Sequence, residues 1–482
     1  MNFLKTLLPE GVWASADLQG LSMDSRQVTA GDLFLARSDQ YIDEAIERGA
    51  AMVLTSGGGL PSVHQGVPVI PVDLSPYNIA EIAARFNDCP AKKMQIIGVT
   101  GTSGKTSCTQ FLAGALRSRG LSCGVIGTLG AGWGESLQST GLTTPDAVTL
   151  QRLLADFLKH DVKYTAMEVS SHALHQGRVE GIPFSVGVFT NLSRDHLDYH
   201  STMAAYGAQK KKLFQQSEVA VVNVNDAFGR ACLPLPGRYI ACGTDRYAGE
   251  FLQTQPKDCQ VMAADIRTEE AHFSADVRTP WGSGHLHVPL PGFFNFENAL
   301  LVLSTLCVLN TPFNEALDCI AALKPVPGRM QIFGGAGLPH VVVDYAHKPD
   351  ALLKVLESLR AQCSGRLTVV FGCGGERDAG KRPQMGDIAE RYTDRVILTD
   401  DNARYEDPAA IIADILHGMK NPLKATVLHD RRAAIADALK NAEPEDYILV
   451  AGKGAEETQT AQGVSRAFND AAVVCELLKN DG

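Results

Sequence analysis

The sequence is poor in several features that would classify it at once. Its eleven cysteines lie scattered, with no CxxC pair and no regular framework, which argues against a disulfide scaffold. Cys123, Cys307 and Cys475 sit in apolar runs and read as core thiols of a reducing cytosol. Long apolar runs are missing too, and no stretch approaches the roughly 20 residues that cross a bilayer. Positive charge is in deficit: 44 Lys and Arg stand against 54 Asp and Glu, for a formal net charge of -10. That balance argues against a nucleic-acid partner held through its phosphates, but local basic clusters can still bind small anions. There is no internal repeat and no low-complexity tract. The opening MNFLKTLLPEGVW has one early lysine, a short apolar run and no clear cleavage site, so no signal peptide is expected.

What is present is an ordinary folded composition, 45% apolar and 20% charged, spread over 482 residues. That length is too great for one hydrophobic core, so several domains are expected. The pattern throughout is α/β. Residues 1–90 read as a small N-terminal α/β domain, closed by a helix over about 75–86 and a turn-like Asp88-Cys89-Pro90. Residues 91–325 read as a central domain with a mostly parallel sheet, its strands including 165–169, 186–189 and 219–224. A helix should begin near Asn295, and Pro325, Pro327 and Gly328 mark the next boundary. Residues 326–482 alternate strands at 341–344, 367–371, 396–399, 425–428 and 447–451 with helices. That is a doubly wound, Rossmann-like sheet, whose functional loops belong at the strand C-termini.

The most informative stretch is 96–120, IIGVTGTSGKTSCTQFLAGALRSRG. An apolar strand enters a Gly/Thr/Ser turn, and a Lys-Thr pair opens a helix over about 106–119, with Gly120 at its C-cap. That order gathers backbone N–H groups and a helix N-terminus around one point, as a phosphate requires. Lys105 adds charge toward the outer phosphates, and the Thr106 hydroxyl suits Mg²⁺. The strict GxxxxGK[ST] form is not met, because Val99 stands at its first glycine; the match is to the shorter GTxGKT form. An ATP site is expected.

Other candidates follow strands. Glu168 ends YTAMEV, where a carboxylate can meet Mg²⁺ beside the phosphate loop. His196 and His200 lie four apart in TNLSRDHLDYH, but Leu197 breaks HExxH, so a zinc-protease reading fails. Among Lys210, Lys211 and Lys212, at least two read as a solvated helix face and one can point inward. FGCGGERDAGKRP lacks the third glycine of a dinucleotide fingerprint, having Arg377 there. It offers instead Arg377, Lys381 and Arg382 for a carboxylate or phosphate. DNARYEDP presents Arg404, for which the plain alternative is a surface arginine paired with Glu406.

Taken in order, GTSGKTS, TTPD, MEVSSHAL, TNLSRDHLDYH, LPGFFNFEN, PGRM, VVVDYAHKPDAL, FGCGGERDAGKRP, DNARYEDP and AGKGAE resemble the Mur ligases, nearest to those adding the third amino acid. The resemblance covers almost the whole chain. It implies a UDP-binding N-terminal domain, a central ATPase and a Rossmann-like C-terminal domain. The implied reaction adds meso-diaminopimelate to UDP-MurNAc-L-Ala-D-Glu with ATP and Mg²⁺, through an acyl phosphate. By the same resemblance, Gly101, Thr102, Ser103, Gly104, Lys105 and Thr106 hold the phosphates. Thr106, Glu168, His196 and a carbamylated Lys210 hold metal. Asn295, Arg329, Asp344 and His347 surround the nucleotide, with Asn298 close to them. Ser25, Thr143, Thr144, Ser170, Gln176 and Arg178 match contacts to the UDP-sugar peptide. Arg377, Asn402, Arg404, Gly452 and Glu456 match the diaminopimelate pocket: the arginines would clamp the distal carboxylate and Glu456 would meet the distal ammonium. The implied protein is a cytoplasmic monomer with small-molecule partners, no nucleic acid and no membrane insertion.

The chain departs from the family pattern at Ala403 in DNAR, Ala455 in GKGAE, Ser103 in the phosphate loop and a short 36–41 segment. Those departures define the rivals, which are a lysine-adding enzyme or a Mur-like ligase with another carboxylate substrate. A non-catalytic nucleotide-binding scaffold would require loss of a chemical residue, yet Lys105, Glu168, His196 and Lys210 are all present.

Overall fold

The computed structural model describes residues 18–134, 136–269, 272–440 and 442–480. The N-terminal stretch inspected for a leader lies outside the described residues. Each of three large sheets draws its strands from one continuous run of chain. The first contains β1 (Gly20–Ser22), β2 (Asp32–Ala36), β3 (Met52–Thr55), β4 (Ser62–His64) and β5 (Val67–Pro71), in the order β1-β2-β3-β5-β4. All its pairings are parallel except β4 with β5. The next ten strands are β6 (Gln95–Thr100), β7 (Cys123–Gly127), β8 (Gly130–Trp133), β9 (Tyr164–Glu168), β10 (Phe184–Phe189), β11 (Ser217–Asn223), β12 (Arg238–Thr244), β13 (Gln260–Glu269), β14 (His272–Thr279) and β15 (Gly282–Val288).

The last sheet holds β16 (Gln331–Gly335), β17 (Leu338–Asp344), β18 (Leu367–Phe371), β19 (Arg395–Leu398), β20 (Ala425–Val427) and β21 (Tyr447–Ala451). Its order is β16-β17-β21-β18-β19-β20, parallel apart from the edge strand β16. A hairpin of β22 (Thr458–Ala461) and β23 (Val464–Ala467) follows.

By contact density the chain forms two compact units that alternate along the sequence. The first takes the described residues up to Thr100, then Arg119–Val188 and Gln209–Ala220. Its β1–β5 sheet packs Leu33, Leu35, Met52, Leu54 and Ile70 against Ile79 and Ile82 of the helix Pro76–Phe86. Ser75 caps that helix through Asn78 N. A second core joins Ile96, Ile126, Met167 and Phe184 to Leu150, Leu154 and Phe157 of the helix Ala147–Lys159. Asp146 caps this helix by accepting from Val148 N and Thr149 N, answering two of the N–H groups a helix start leaves without partners. Here β6 lies between β10 and β9, so the stretches after β9 and β10 each follow a neighbour of the phosphate-loop strand.

The second unit takes Gly101–Ser118, Phe189–Ala208 and Val221 onward. Its helix Phe293–Val308 is apolar nearly all round and correspondingly buried. It starts two residues before the expected Asn295. The antiparallel run β13-β14-β15 was not anticipated from the sequence. In the last sheet, Val342, Val369 and Leu449 face one helix layer with Leu352, Leu356 and Met385. Val341, Val370 and Ile448 face the other, with Ile435 and Val474. Two layers around a parallel sheet are what continuous apolar strands require.

Candidate functional site

In the second unit the Gly101–Gly104 turn, the candidate phosphate loop, is shaped by two close approaches. Gly101 has φ +153°, and a Cβ there would come within 1.8 Å of Thr190 Oγ1. Gly104 has φ +83°, and its Cβ would lie 2.7 Å from Asn298 Oδ1. Only glycine fits either position. The loop is pinned from outside by the Thr190-Asn191 pair, which the sequence reading passed over. Thr190 Oγ1 donates to Ser103 O at 2.6 Å, Ser103 N donates to Asn191 Oδ1 at 3.0 Å, and Thr102 N donates to Asn191 O at 2.9 Å. The helix Lys105–Ser118 begins directly after Gly104, within a residue of expectation, and directs its first N–H groups toward the turn. Lys105 folds back, donating through Nζ to Gly101 O at 2.9 Å and Thr102 O at 3.0 Å. The hydroxyl of Thr106 accepts from Arg329 Nη2 at 3.0 Å.

The other nucleotide candidates gather in the same unit. Asn295 donates through Nδ2 to Pro291 O at 2.8 Å, while its buried Oδ1 has no partner. An unanswered buried acceptor is costly, and its place is one a ligand donor can take. Arg329 lies 4.3 Å above the ring of Tyr345. Asp344 is held by Met330 N and Ala346 N, both at 2.7 Å. Burial pushes its carboxyl upward, against the pull of Arg329 and these two amides. His347 is kept well below the usual histidine range by burial, with Lys348 and Lys381 adding to the effect. Its Nδ1 lies 2.8 Å from Tyr345 O. His196 has φ +52°, a left-handed conformation, and its Nε2 lies 3.0 Å from Asp195 Oδ2.

The first unit holds the acidic and substrate-side candidates. Glu168 is buried at the end of β9, and its carboxylate accepts from Thr128 N at 2.8 Å and Thr128 Oγ1 at 3.1 Å. Thr128 also lies 3.3 Å from Thr143 Oγ1. Thr144 donates to Glu168 O at 2.8 Å and accepts from Ser170 N at 3.1 Å. Arg178 donates to Thr144 O at 2.8 Å and is held by Gln176 Oε1 at 2.6 and 2.9 Å. Five residues named for the UDP-sugar peptide therefore form one hydrogen-bonded network with Glu168. Ser25 stands outside it and donates to Glu44 Oε2 at 2.6 Å. Of the three successive lysines, Lys210 is the buried one.

The third group lies in the second unit, at the C-terminal ends of the last sheet. Arg377 and Arg404 both pass beside Gly374, whose Cβ would sit 3.9 Å from Arg377 Cγ and 3.0 Å from Arg404 Nη1. Arg404 Nη1 donates to Gly375 O at 2.6 Å. Gly452 N donates to Asp344 O at 3.0 Å, tying this loop to the nucleotide group. Glu456 Oε2 accepts from Asn402 Nδ2 and from Lys453 Nζ, both at 2.8 Å. Fully buried Lys453 also donates to Thr458 O at 2.7 Å. It was not singled out in the sequence, where nothing distinguishes a buried lysine from a solvated one.

Three expectations need correction. Arg382 is no anion ligand, because it is buried and held by Glu406 and Asp414 at 2.6–2.9 Å. Glu406 therefore pairs with Arg382, and the plain alternative offered for Arg404 fails. Cys475 is only partly buried, on the helix Asp470–Asn480, and is no core thiol.

Two family descriptions match the chain: the Mur ligase middle domain over residues 99–306 and the Mur ligase glutamate ligase domain over 328–454. Among similar proteins, the UDP-N-acetylmuramoyl-L-alanyl-D-glutamate--2,6-diaminopimelate ligase of Coxiella burnetii is 47% identical over 471 residues, 94% of each chain. The Vibrio vulnificus protein of that name is 42% identical, over 96% of this chain and 95% of its own. A solved structure bearing the same ligase name aligns with TM-score 0.69 at 33% identity, over 100% of this chain and 98% of that one. The MurF ligase of Thermotoga maritima in complex with ADP shares the fold, with TM-score 0.64 at 17% identity, covering 96% of this chain and 97% of its own.

Proposed function

The chain belongs to the Mur ligase family, and from that premise we propose that it adds meso-diaminopimelate to UDP-MurNAc-L-Ala-D-Glu. It is an ATP-dependent amide ligase of peptidoglycan precursor synthesis, acting on small-molecule substrates. The observation that carries the proposal is 47% identity, nearly end to end, with a ligase so named. The substrate carboxylate attacks the γ-phosphate of ATP, ADP leaves, and the incoming amine displaces phosphate from the acyl phosphate. Such a reaction depends on positioning and charge neutralisation.

Each residue group has a part. The Gly101–Gly104 turn and Lys105 cradle the phosphates, which requires Lys105 to leave the loop carbonyls and Thr106 to exchange its arginine partner. Asn295 Oδ1 offers an acceptor to the base, while Asp344, Arg329 and His347 bound the nucleotide. Among the described residues no three His, Cys, Asp or Glu side chains converge. A hard cation would therefore take most of its ligands from phosphate and water, with Glu168, His196, Thr106 and Lys210 as protein donors. When bound, Mg²⁺ supplies charge neutralisation at the phosphates. Lys210 is the buried one of the three lysines and matches the lysine carbamylated in the family. Its amine takes up CO₂ and releases a proton, giving a carbamate that a metal can meet. Arg377 and Arg404 clamp the distal carboxylate of diaminopimelate. Glu456 offers Oε1 to the distal ammonium, since Oε2 already serves Lys453 and Asn402. The protein acts in the cytoplasm as a monomer; among the described residues no helix is long and apolar enough to cross a membrane.

The test is phosphate release from Mg-ATP with UDP-MurNAc-L-Ala-D-Glu, adding meso-diaminopimelate, L-lysine or no amino acid. Release only with diaminopimelate is expected. Release only with lysine overturns the Arg404 assignment, and release with neither, from folded protein that binds ATP, overturns the carboxylate substrate.

A further inference from the structure

Lys348 follows His347 and occupies the N-cap position of the helix Pro349–Arg360, but its side chain makes no capping bond. It turns toward the stretch that carries His196. Lys348 Nζ lies 2.5 Å from Asp195 Oδ2, and the two side chains are only 12% and 16% exposed. The same oxygen lies 3.0 Å from His196 Nε2. Burial alone would raise the Asp195 carboxyl, but the Lys348 ammonium and the His196 ring hold it far below the usual carboxylate range. Behind His347, Lys381 Nζ donates to the His347 carbonyl at 2.8 Å. The segment 344–348 is thus fastened on one side to the helix Lys381–Tyr392 and on the other to Asp195.

We propose that Lys348 is a positioning residue of the ligase: through Asp195 it fixes the ring of His196 and couples that ring to the segment bearing Asp344 and His347. The argument is geometric. Imidazole rotates freely about its outer torsion unless one nitrogen is held, and a carboxylate on that nitrogen decides which nitrogen faces a cation. A carboxylate can steady a ring only if its own rotamer is held, and the short, shielded ion pair with Lys348 does that. His196 is itself held in a left-handed conformation, which a surrounding network must maintain. The inference rests on the roles given above to His196 and His347.

The test measures Mn²⁺ binding to the ADP complex by electron paramagnetic resonance, beside steady-state kinetics and thermal unfolding. Lys348→Met is expected to weaken Mn²⁺ binding about 10–100-fold, the usual effect of losing a residue behind a metal ligand. It should lower kcat, leave the KM for the UDP-linked substrate unchanged and leave the unfolding temperature within a few degrees. Lys348→Arg should recover most of the lost affinity. The Asp195→Asn, Lys348→Met double variant should be no worse than Asp195→Asn alone, as for one linked device. Wild-type Mn²⁺ affinity and kcat in Lys348→Met overturn the proposal, as do fully additive effects in the double variant. His196→Ala separates the two levels: if it too binds Mn²⁺ normally, the metal role of His196 falls, whereas weakened binding there with normal binding in Lys348→Met removes only the coupling.

Discussion

A β-carbon at Gly101 meets the hydroxyl of Thr190 at 1.8 Å, and that hydroxyl already holds the Ser103 carbonyl. Gly101→Ala must therefore move the loop, strain the backbone or break the Thr190 bond. Loss of measurable ATP binding by calorimetry is expected, together with about 1–3 kcal/mol of lost stability. Lys210→Ala should lose ligase activity, and added acetate should restore part of it by supplying a carboxylate where the carbamate stood. Full activity in the untreated variant would remove the carbamate role. At this scale the Gly101–Gly104 turn and the strand-end placement of Glu168 were legible, because both are local patterns. Asn191, Lys453 and Asp195 were not. Each acts through a partner distant in sequence or through burial, and neither shows in a residue's identity.

Among elements, strands and helices announced themselves where apolar residues recur with one period. The helix expected over 106–119 is Lys105–Ser118, and the strand expected over 367–371 is Leu367–Phe371. The run β13-β14-β15 was missed because β14 buries only alternate residues, whereas the strands that were expected are continuous apolar blocks. The β22–β23 hairpin is almost wholly exposed and turns on Gln462 and Gly463, both with positive φ, so no hydrophobic signal marks it. The helix Lys381–Tyr392 carries a testable ion cluster. Hydrogen bonds from Arg382 and from Glu376 N hold the Glu406 carboxyl at about 2, against a smaller opposing effect of burial. Its stabilisation is complete above the unfolded carboxylate's pKa of about 4.3 and drains away as pH falls toward the folded value. Glu406→Gln should cost about 1–3 kcal/mol near neutrality, toward the low end because Asp414 still pairs with Arg382. In denaturant titrations the gap from wild type should be flat above pH 5 and shrink below it. A gap that widens in acid would contradict the assignment.

For the molecule as a whole, thiol accessibility gives a global check on the fold. Cys89, Cys259 and Cys475 are partly exposed, and eight cysteines are buried. Burial pushes Cys242, Cys307 and Cys373 up to about 12, where almost no thiolate exists at neutral pH. Native protein should titrate three thiols quickly and the other eight only on unfolding; more than three fast thiols would mean that a described core is open. The alternation of the two compact units has a consequence for synthesis on the ribosome. The first unit ends at Ala220 and contains two excursions, Gly101–Ser118 and Phe189–Ala208, that belong to the second. While the first unit is being completed, the phosphate-loop helix and the His196 stretch must wait as tethered segments for partners not yet translated. Their apolar faces are then exposed to chaperones and to neighbouring nascent chains, and a stall just after residue 220 would strand the Gly101–Gly104 turn outside any finished core.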